Sequence, residues 1–279
     1  MNVKWIIENF TDSEDYNDLI REIKDYGRHC FVIGKHNHFD FDPSGFEKND
    51  CVIVQGSIQM TKNIRGRLPE GCFPVAYNSW DKYLCSSYYG PLNEFLFNDL
   101  HEFTTVGKLK NDKFKFYEKY GKEALIFLRP DTGEKSFSGQ LLDLQDFDRF
   151  WNNAIASSAD DLDSVIVSTP KKINGEWRFV CSKYNGGEII STTTYQYQGQ
   201  RTLIPSAPIG ATDKCKEILN KGYFPDSVFC IDICQCNDGN FWLLELTSFS
   251  SAGLYATNKK DVARRVSDIV EMEYEKQKS

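Results

Sequence analysis

The sequence predicts an α+β protein, with a smaller α/β domain over residues 1–104 preceding a larger mixed domain over residues 105–279. Three observations carry this expectation. In the first third, short apolar runs that stop at glycine alternate with helical periodicity. Beyond about residue 105 the runs shorten and are joined by hairpin signals such as Asn185-Gly186-Gly187 and Asp238-Gly239. The chain then closes on one long amphipathic segment.

The elements follow in order. Tyr16, Leu19, Ile20 and Ile23 recur at helical spacing across Asp15 to Lys24. Cys30-Phe-Val-Ile33, stopped by Gly34, reads as a buried strand, and Cys51-Val-Ile-Val54 as a second. Gln55-Gly56-Ser57 then leads into a helix over Ile58 to Arg67. That helix start suits an anion, because unpaired amides and the helix dipole point there. Alternatively, Gly56 allows a tight turn and Ser57 caps the helix. Residues 69–97, rich in Pro, Tyr, Phe and Asn, read as irregular connecting structure. Strands are expected at Ala124 to Leu128, Ser138 to Leu142 and Ser164 to Val167. A hairpin joins Trp177–Ser182 to Glu188–Ser191, and helices fall at Phe147 to Ala156 and Asp213 to Asn220. Val262, Val266, Ile269, Val270 and Met272 form one face of a helix over Lys260 to Lys276.

Composition narrows the function. The chain of 279 residues is 41% apolar and 26% charged, enough to bury a core without disulfides or a structural metal. Its net charge of −7 argues against a nucleic-acid coat and a polybasic membrane binder. No window approaches the roughly 20 apolar residues of a membrane span. The nine cysteines are odd in number and irregularly spaced, and no secretory signal precedes them. Reduced thiols in a cytoplasmic compartment are expected.

The strongest chemical signal lies between residues 228 and 248. Val228 to Cys236 and Phe241 to Thr247 are strand-like runs joined by Asn237-Asp238-Gly239-Asn240. Centring a tight turn on Asp238-Gly239 sets Asp232 opposite Glu245 and Cys230 opposite Thr247, with side chains on one face. Opposed carboxylates repel unless something cationic sits between them. A hard divalent ion such as Mg²⁺, bound through one or two carboxylates and substrate phosphates, meets that need. The alternative is a solvated face neutralised by Lys or Arg. Cys230, Cys234 and Cys236 alternate on the face of Asp232, so the face is not built for open water, but their spacing lacks a zinc pattern. A second signal is Leu125 to Gly139, where a strand delivers Arg129 before Pro130, and Lys135 projects from a Gly133-containing loop. Two cations beside free amides suit a triphosphate. Glu176-Trp177-Arg178, opening a strand, is the third.

Taken in order, these motifs resemble the ATP-grasp superfamily. The resemblance is greatest to the phage and bacterial clade named for its two arginines and one lysine. It rests on Arg129-Pro130, Lys135-Ser-Phe137-x-Gly139, Glu176-x-Arg178, Asp232 and Glu245-Leu-x-Ser248-Phe249-Ser-Ser-x-Gly253-Leu-Tyr255, with Gly56-Ser57 as a looser match. It implies two α+β subdomains clasping ATP behind the N-terminal domain. It also implies that Arg129 and Lys135 hold phosphates, and that Arg178 faces the γ-phosphate or an acyl phosphate. Glu176 would support the nucleotide site, while Asp232 and Glu245 would bind Mg²⁺. The family's Asn two residues after the metal Glu is Thr247 here, which takes that third metal position, with Ser248 as its substitute.

The resemblance implies an ADP-forming carboxylate–amine ligase, its substrate an amino acid, peptide or protein, with no membrane or nucleic acid involved. A nucleotide-dependent factor that grips or assembles protein chains is the alternative. A metal-dependent nuclease using Asp232 and Glu245 with His36 or His38 is the third reading, although His36-x-His38-x-Asp40 lies in a polar, turn-like stretch.

Overall fold

The computed structural model describes residues 2–9, 14–34, 41–69, 73–74, 80–132, 137–152 and 159–278. Three sheets build it. The first is parallel and contains β1 (Val3–Asn9), β2 (His29–Gly34), β3 (Cys51–Gln55) and β4 (Phe73–Pro74), in the order β2-β1-β3-β4. Helices α1 (Glu14–Asp25) and α2 (Ile58–Arg65) connect these strands. Strand β1, which has no counterpart in the sequence reading, is central and buried on both faces. Val3, Trp5 and Ile7 join one core with Leu19 and Ile23, while Ile6 joins another with Met60 and Ile64. Its sequence Val-Lys-Trp-Ile-Ile-Glu-Asn is interrupted by Lys4 and Glu8, which are buried only because Asp50 and the Ser57 N–H meet them, so no continuous apolar run marks the strand. Strand β2 is not buried as expected: it lies at the sheet edge and leaves Val32 45% exposed.

After a short helix α3 (Cys85–Tyr88), the second sheet is assembled from β5 (His101–Thr105), β6 (Leu125–Pro130), β7 (Gln140–Asp143) and β8 (Ser164–Ser168), in the antiparallel order β5-β8-β6-β7. Helices α4 (Val106–Asn111), α5 (Lys113–Tyr120) and α6 (Phe147–Trp151) cover its inner face around Ile126, Leu128 and Val165. The helix expected over Phe147 to Ala156 ends at Trp151, and positions 153–156 lie outside the described residues.

The third sheet holds β9 (Ile173–Ser182), β10 (Glu188–Tyr197), β11 (Gln200–Ile204), β12 (Val228–Cys236) and β13 (Phe241–Ser248), in the antiparallel order β11-β10-β9-β12-β13. The β9–β10 turn uses left-handed backbone at Asn185, Gly186 and Gly187, as the Asn-Gly-Gly run predicts. Helix α7 (Ile209–Asn220) packs on one face together with Tyr83, Tyr88, Leu92 and Leu96. Helix α8 (Lys259–Lys278) covers the other, where Val180, Val228 and Cys230 share a core with α1, β1 and β3. Packing therefore crosses the border expected at residue 104 in both directions. Residues 83–96 lie on the third sheet, and the last helix lies on the first. Among the described residues no helix is long and apolar enough to cross a membrane.

Candidate functional site

The second and third sheets face each other across a cleft. Strand β6 alternates strictly: Ile126 and Leu128 enter the core, while Leu125, Phe127 and Arg129 point the other way. Phe127 and Arg129 line a cleft of about 320 Å³ with Glu176, Tyr195, Leu244 and Glu245 from the third sheet. Leu125 faces the neighbouring, larger pocket of about 570 Å³, walled by Leu141, Pro170, Lys171, Cys236 and Trp242.

The floor is the β12–β13 hairpin. Asp232 stands opposite Glu245 and Cys230 opposite Thr247, as the turn arithmetic expects. The route to that register is different. The turn spans three residues, since Cys236 N–H donates to Asn240 O (3.0 Å) and Gly239 takes φ +84. This offsets the pairing by one, so that Gln235 meets Phe241 and Ile233 meets Leu243. The extra residue Leu244 forms a β-bulge that restores the register at Glu245. Leu243 and Leu246 consequently share the core face, and Glu245 and Thr247 the cleft face.

The charges on this floor are closed by guanidinium groups. Arg178 lies beside Asp232 on the adjacent strand and binds it bidentately, Nε to Oδ1 at 2.8 Å and NH2 to Oδ2 at 2.6 Å. A third bond runs from Arg178 NH1 to Gly253 O at 3.0 Å. Arg129 reaches from the second sheet to Glu245 Oε2 (3.2 Å) and to Leu244 O (3.4 Å). The repulsion that the sequence assigns to a metal to relieve is thus relieved by two arginines. Glu176 is shielded on the same face, where burial raises its pKa although Tyr195 Oη donates to Oε2 at 2.6 Å.

The donor set also suits Mg²⁺. Asp232 and Glu245 offer hard carboxylate oxygens, and Glu245 opens onto the cleft. Each oxygen has a second lone pair beyond the one an arginine uses. Among the described residues no three His, Cys, Asp or Glu side chains converge on one point, so such an ion would draw its remaining ligands from water and substrate. Thr247 shares the face of Glu245 and donates to its Oε1 at 3.2 Å. Ser248 does not serve as its substitute: it pairs with Phe229 on the opposite face and is 3% exposed.

Arg129, Glu176, Arg178, Asp232, Glu245 and Thr247 are therefore brought together. Lys135 and Gly133 lie outside the described residues, as do His36 and His38. Cys230 is not in the cleft but in the core against α8, where burial pushes its thiol up to about 12, while Cys236 lines the larger pocket. Of the two readings of the α2 start, the Ser57 cap is the one seen, and the anion beside it belongs to the chain itself. Ser57 Oγ caps Met60 N–H (3.1 Å), and the buried Glu8 accepts from Ser57 N–H (2.6 Å). Sequence reasoning gave no role to Tyr195 or Tyr255, nor to Cys85 and Tyr88 of α3, which lie near Arg129. Of these, only Tyr255 stood in a motif.

Two sheets closing over a cleft lined by Arg129 from one side and by Glu176 and Glu245 from the other, with the Arg178–Asp232 pair buried beside it, define the ATP-grasp fold. The chain belongs to an ATP-grasp domain family, the second family of the clade named for two arginines and one lysine, whose model matches residues 103–265. Its fold is similar to that of D-cycloserine synthetase DcsG, at 12% identity and a TM-score of 0.65, over 96% of this chain and 100% of that one. D-alanine–D-alanine ligase from Bacillus anthracis complexed with ATP gives 9% identity and a TM-score of 0.59 over 99% of each chain. The macrocyclase MdnC from Microcystis aeruginosa, bound with its precursor peptide MdnA, gives 14% and 0.56 over 97% and 99%. No curated protein matches the sequence.

Proposed function

We propose that this protein is an ATP- and Mg²⁺-dependent carboxylate–amine ligase acting through an acyl phosphate on an amino acid, peptide or protein in the cytoplasm. The observation that carries the reading is the Arg129–Glu245 pair lining the cleft between two sheets, with the buried Arg178–Asp232 pair beside it on the third sheet. The larger pocket would take the base, and the triphosphate would run along β6 toward Arg129. A carboxylate oxygen attacks the γ-phosphorus and ADP leaves. An amine nitrogen then attacks the acyl carbon, releasing phosphate and a proton. In this reading Arg129 grips phosphate oxygens with its planar fork and Lys135 adds a second cationic charge. Arg178 stabilises the transferred phosphoryl group, and Glu176 supports the nucleotide site. Asp232 and Glu245, with Thr247 beside them, would hold Mg²⁺, which when bound offsets charge on the phosphates. Nothing in this scheme needs a covalent nucleophile. Position and preorganised charge supply the catalysis.

That the similar folds include D-alanine ligases and a precursor-peptide macrocyclase supports an amino-acid or peptide substrate. The test is ADP release with a panel of amino acids, peptides and small carboxylates, followed by mass spectrometry. A product heavier by an added amine component, minus water, is expected. ADP formation without any new C–N bond would overturn the ligase in favour of a nucleotide-driven assembly factor.

A further inference from the structure

Arg178 is held by more than its carboxylate. The rings of Tyr195 and Tyr255 stack on each other, with centroids 5.2 Å apart and planes 20° from parallel. The Arg178 guanidinium carbon lies 5.5 Å from the first ring centroid and 5.3 Å from the second, within the range of cation–π attraction. The two rings come from distant parts of the chain. Tyr195 is the extra residue where the β10 register shifts between Thr194 and Gln196, and its hydroxyl is spent on Glu176. Tyr255 follows the Gly253 carbonyl that Arg178 itself binds.

The Tyr255 segment is built to stay where it is. Tyr255 has φ +42, a left-handed backbone that a bulky aromatic residue rarely adopts. Its carbonyl and that of Thr257 accept from the ammonium of Lys259, a lysine only 8% exposed. On the other side, Gln55 Nε2 donates to Phe249 O (3.2 Å) and Ala252 O (2.5 Å), and Gly56 N–H donates to Ser250 O (2.8 Å). A Cβ on Gly253 would stand 3.0 Å from the Tyr255 ring. Strained backbone persists only where surroundings over-determine it, and here they do so on three sides.

We infer that Tyr255, stacked on Tyr195, is a positioning residue that fixes the Arg178 guanidinium at the angle needed to meet the terminal phosphoryl group. The inference rests on the phosphate role proposed for Arg178. Hydrogen bonds to Asp232 and to Gly253 O hold the guanidinium by its edges and leave its plane free to rock out of theirs. Two stacked rings remove that freedom before substrate arrives, so the cost of ordering is met in folding rather than in binding.

The test pairs Tyr255→Leu with Tyr255→Phe, and reads Mg²⁺-AMPPNP and AMP affinity by calorimetry. Tyr255→Leu should weaken AMPPNP about tenfold, equivalent to 1.4 kcal/mol, and leave AMP binding unchanged. Tyr255→Phe should restore AMPPNP affinity, because the ring and not the hydroxyl contacts Arg178. The Arg178 side-chain Nε–H resonance, assigned by its absence in Arg178→Lys, should move in Tyr255→Leu and stay in Tyr255→Phe. Gly253→Ala, which displaces the ring by contact, is the second variant should Tyr255→Leu fold poorly, and it should move the same resonance. An unmoved resonance, or equal loss of AMP and AMPPNP affinity, would overturn the inference. If Arg178→Lys left AMPPNP affinity intact, the phosphate role would fail instead, and the resonance would still decide the clamp.

Discussion

Arg178–Asp232 and Arg129–Glu245 are the same chemical pair in two settings. The first lies within one sheet, between neighbouring strands, with side chains 7% and 1% exposed and two short bonds. The second spans two sheets, with side chains 12% and 17% exposed and one 3.2 Å contact. The first pair is held by the sheet's hydrogen bonds, so it behaves as a fixed strut. The second has no such frame and depends on how the two sheets sit. In the proposed reading, this looser contact is exchanged for a phosphate on Arg129 and a cation on Glu245.

The sharpest way to break this comparison is to remove one partner of each pair. Arg178→Ala leaves Asp232 buried without its guanidinium, which should cost about 3–5 kcal/mol. Arg129→Ala should cost less, about 1–3 kcal/mol, because Glu245 at 17% exposure can be rehydrated once its partner is removed. Urea denaturation of both variants measures the gap, and equal losses would erase the distinction. On activity the order is set by chemistry rather than stability. Lys135→Ala should slow ADP formation by about 10²-fold, less than the 10³–10⁵ of an arginine finger, while keeping most nucleotide affinity. Arg129→Ala should instead weaken that affinity. A reversal would exchange the roles of Arg129 and Lys135. Glu245→Gln sharpens the second setting: Mg²⁺-dependent ATP affinity should fall about tenfold, or 1.4 kcal/mol, with thermal stability nearly unchanged. Calorimetry with and without Mg²⁺ reads this directly.

Asp226 shows what a shielded carboxylate does without a guanidinium. Its Oδ2 has no hydrogen-bond partner among the described residues, and burial raises its pKa from 3.8 to about 7. The folded state therefore binds this proton more tightly than the unfolded chain. Its contribution is fully present below pH 3.8 and is lost as pH rises toward about 7. Asp226→Asn should flatten that fall and raise the Tm at pH 8 by about 3 °C. A thermal scan across pH with no difference between the two proteins would remove this third case.

Much of the candidate site was legible because its residues sit on strands whose turns announce themselves. Asp232 opposite Glu245 follows from Asp238-Gly239, although a three-residue turn and a bulge at Leu244 compensate each other on the way. That compensation could not be read, since a bulge leaves no mark in composition. Strand β1 escaped for the opposite reason: Lys4 and Glu8 interrupt its apolar residues, and only remote partners, Asp50 and the Ser57 N–H, allow them to be buried. Residues 83–96, read as irregular, are irregular in sequence pattern but not in placement. Their aromatic side chains supply one wall of the third sheet's core.

By itself, then, the sequence determined the α+β class, the order of the motifs and the identities of the charged groups, all of which depend on local periodicity, turn chemistry and spacing. Only the tertiary structure decided which arginine answers which carboxylate, that Glu8 rather than a ligand meets the start of α2, that Ser248 faces away from Glu245, and that two tyrosines 60 residues apart flank Arg178. Those choices turn on contacts between segments remote in sequence, and on one inserted residue that reverses the facing of a strand. No local pattern encodes either.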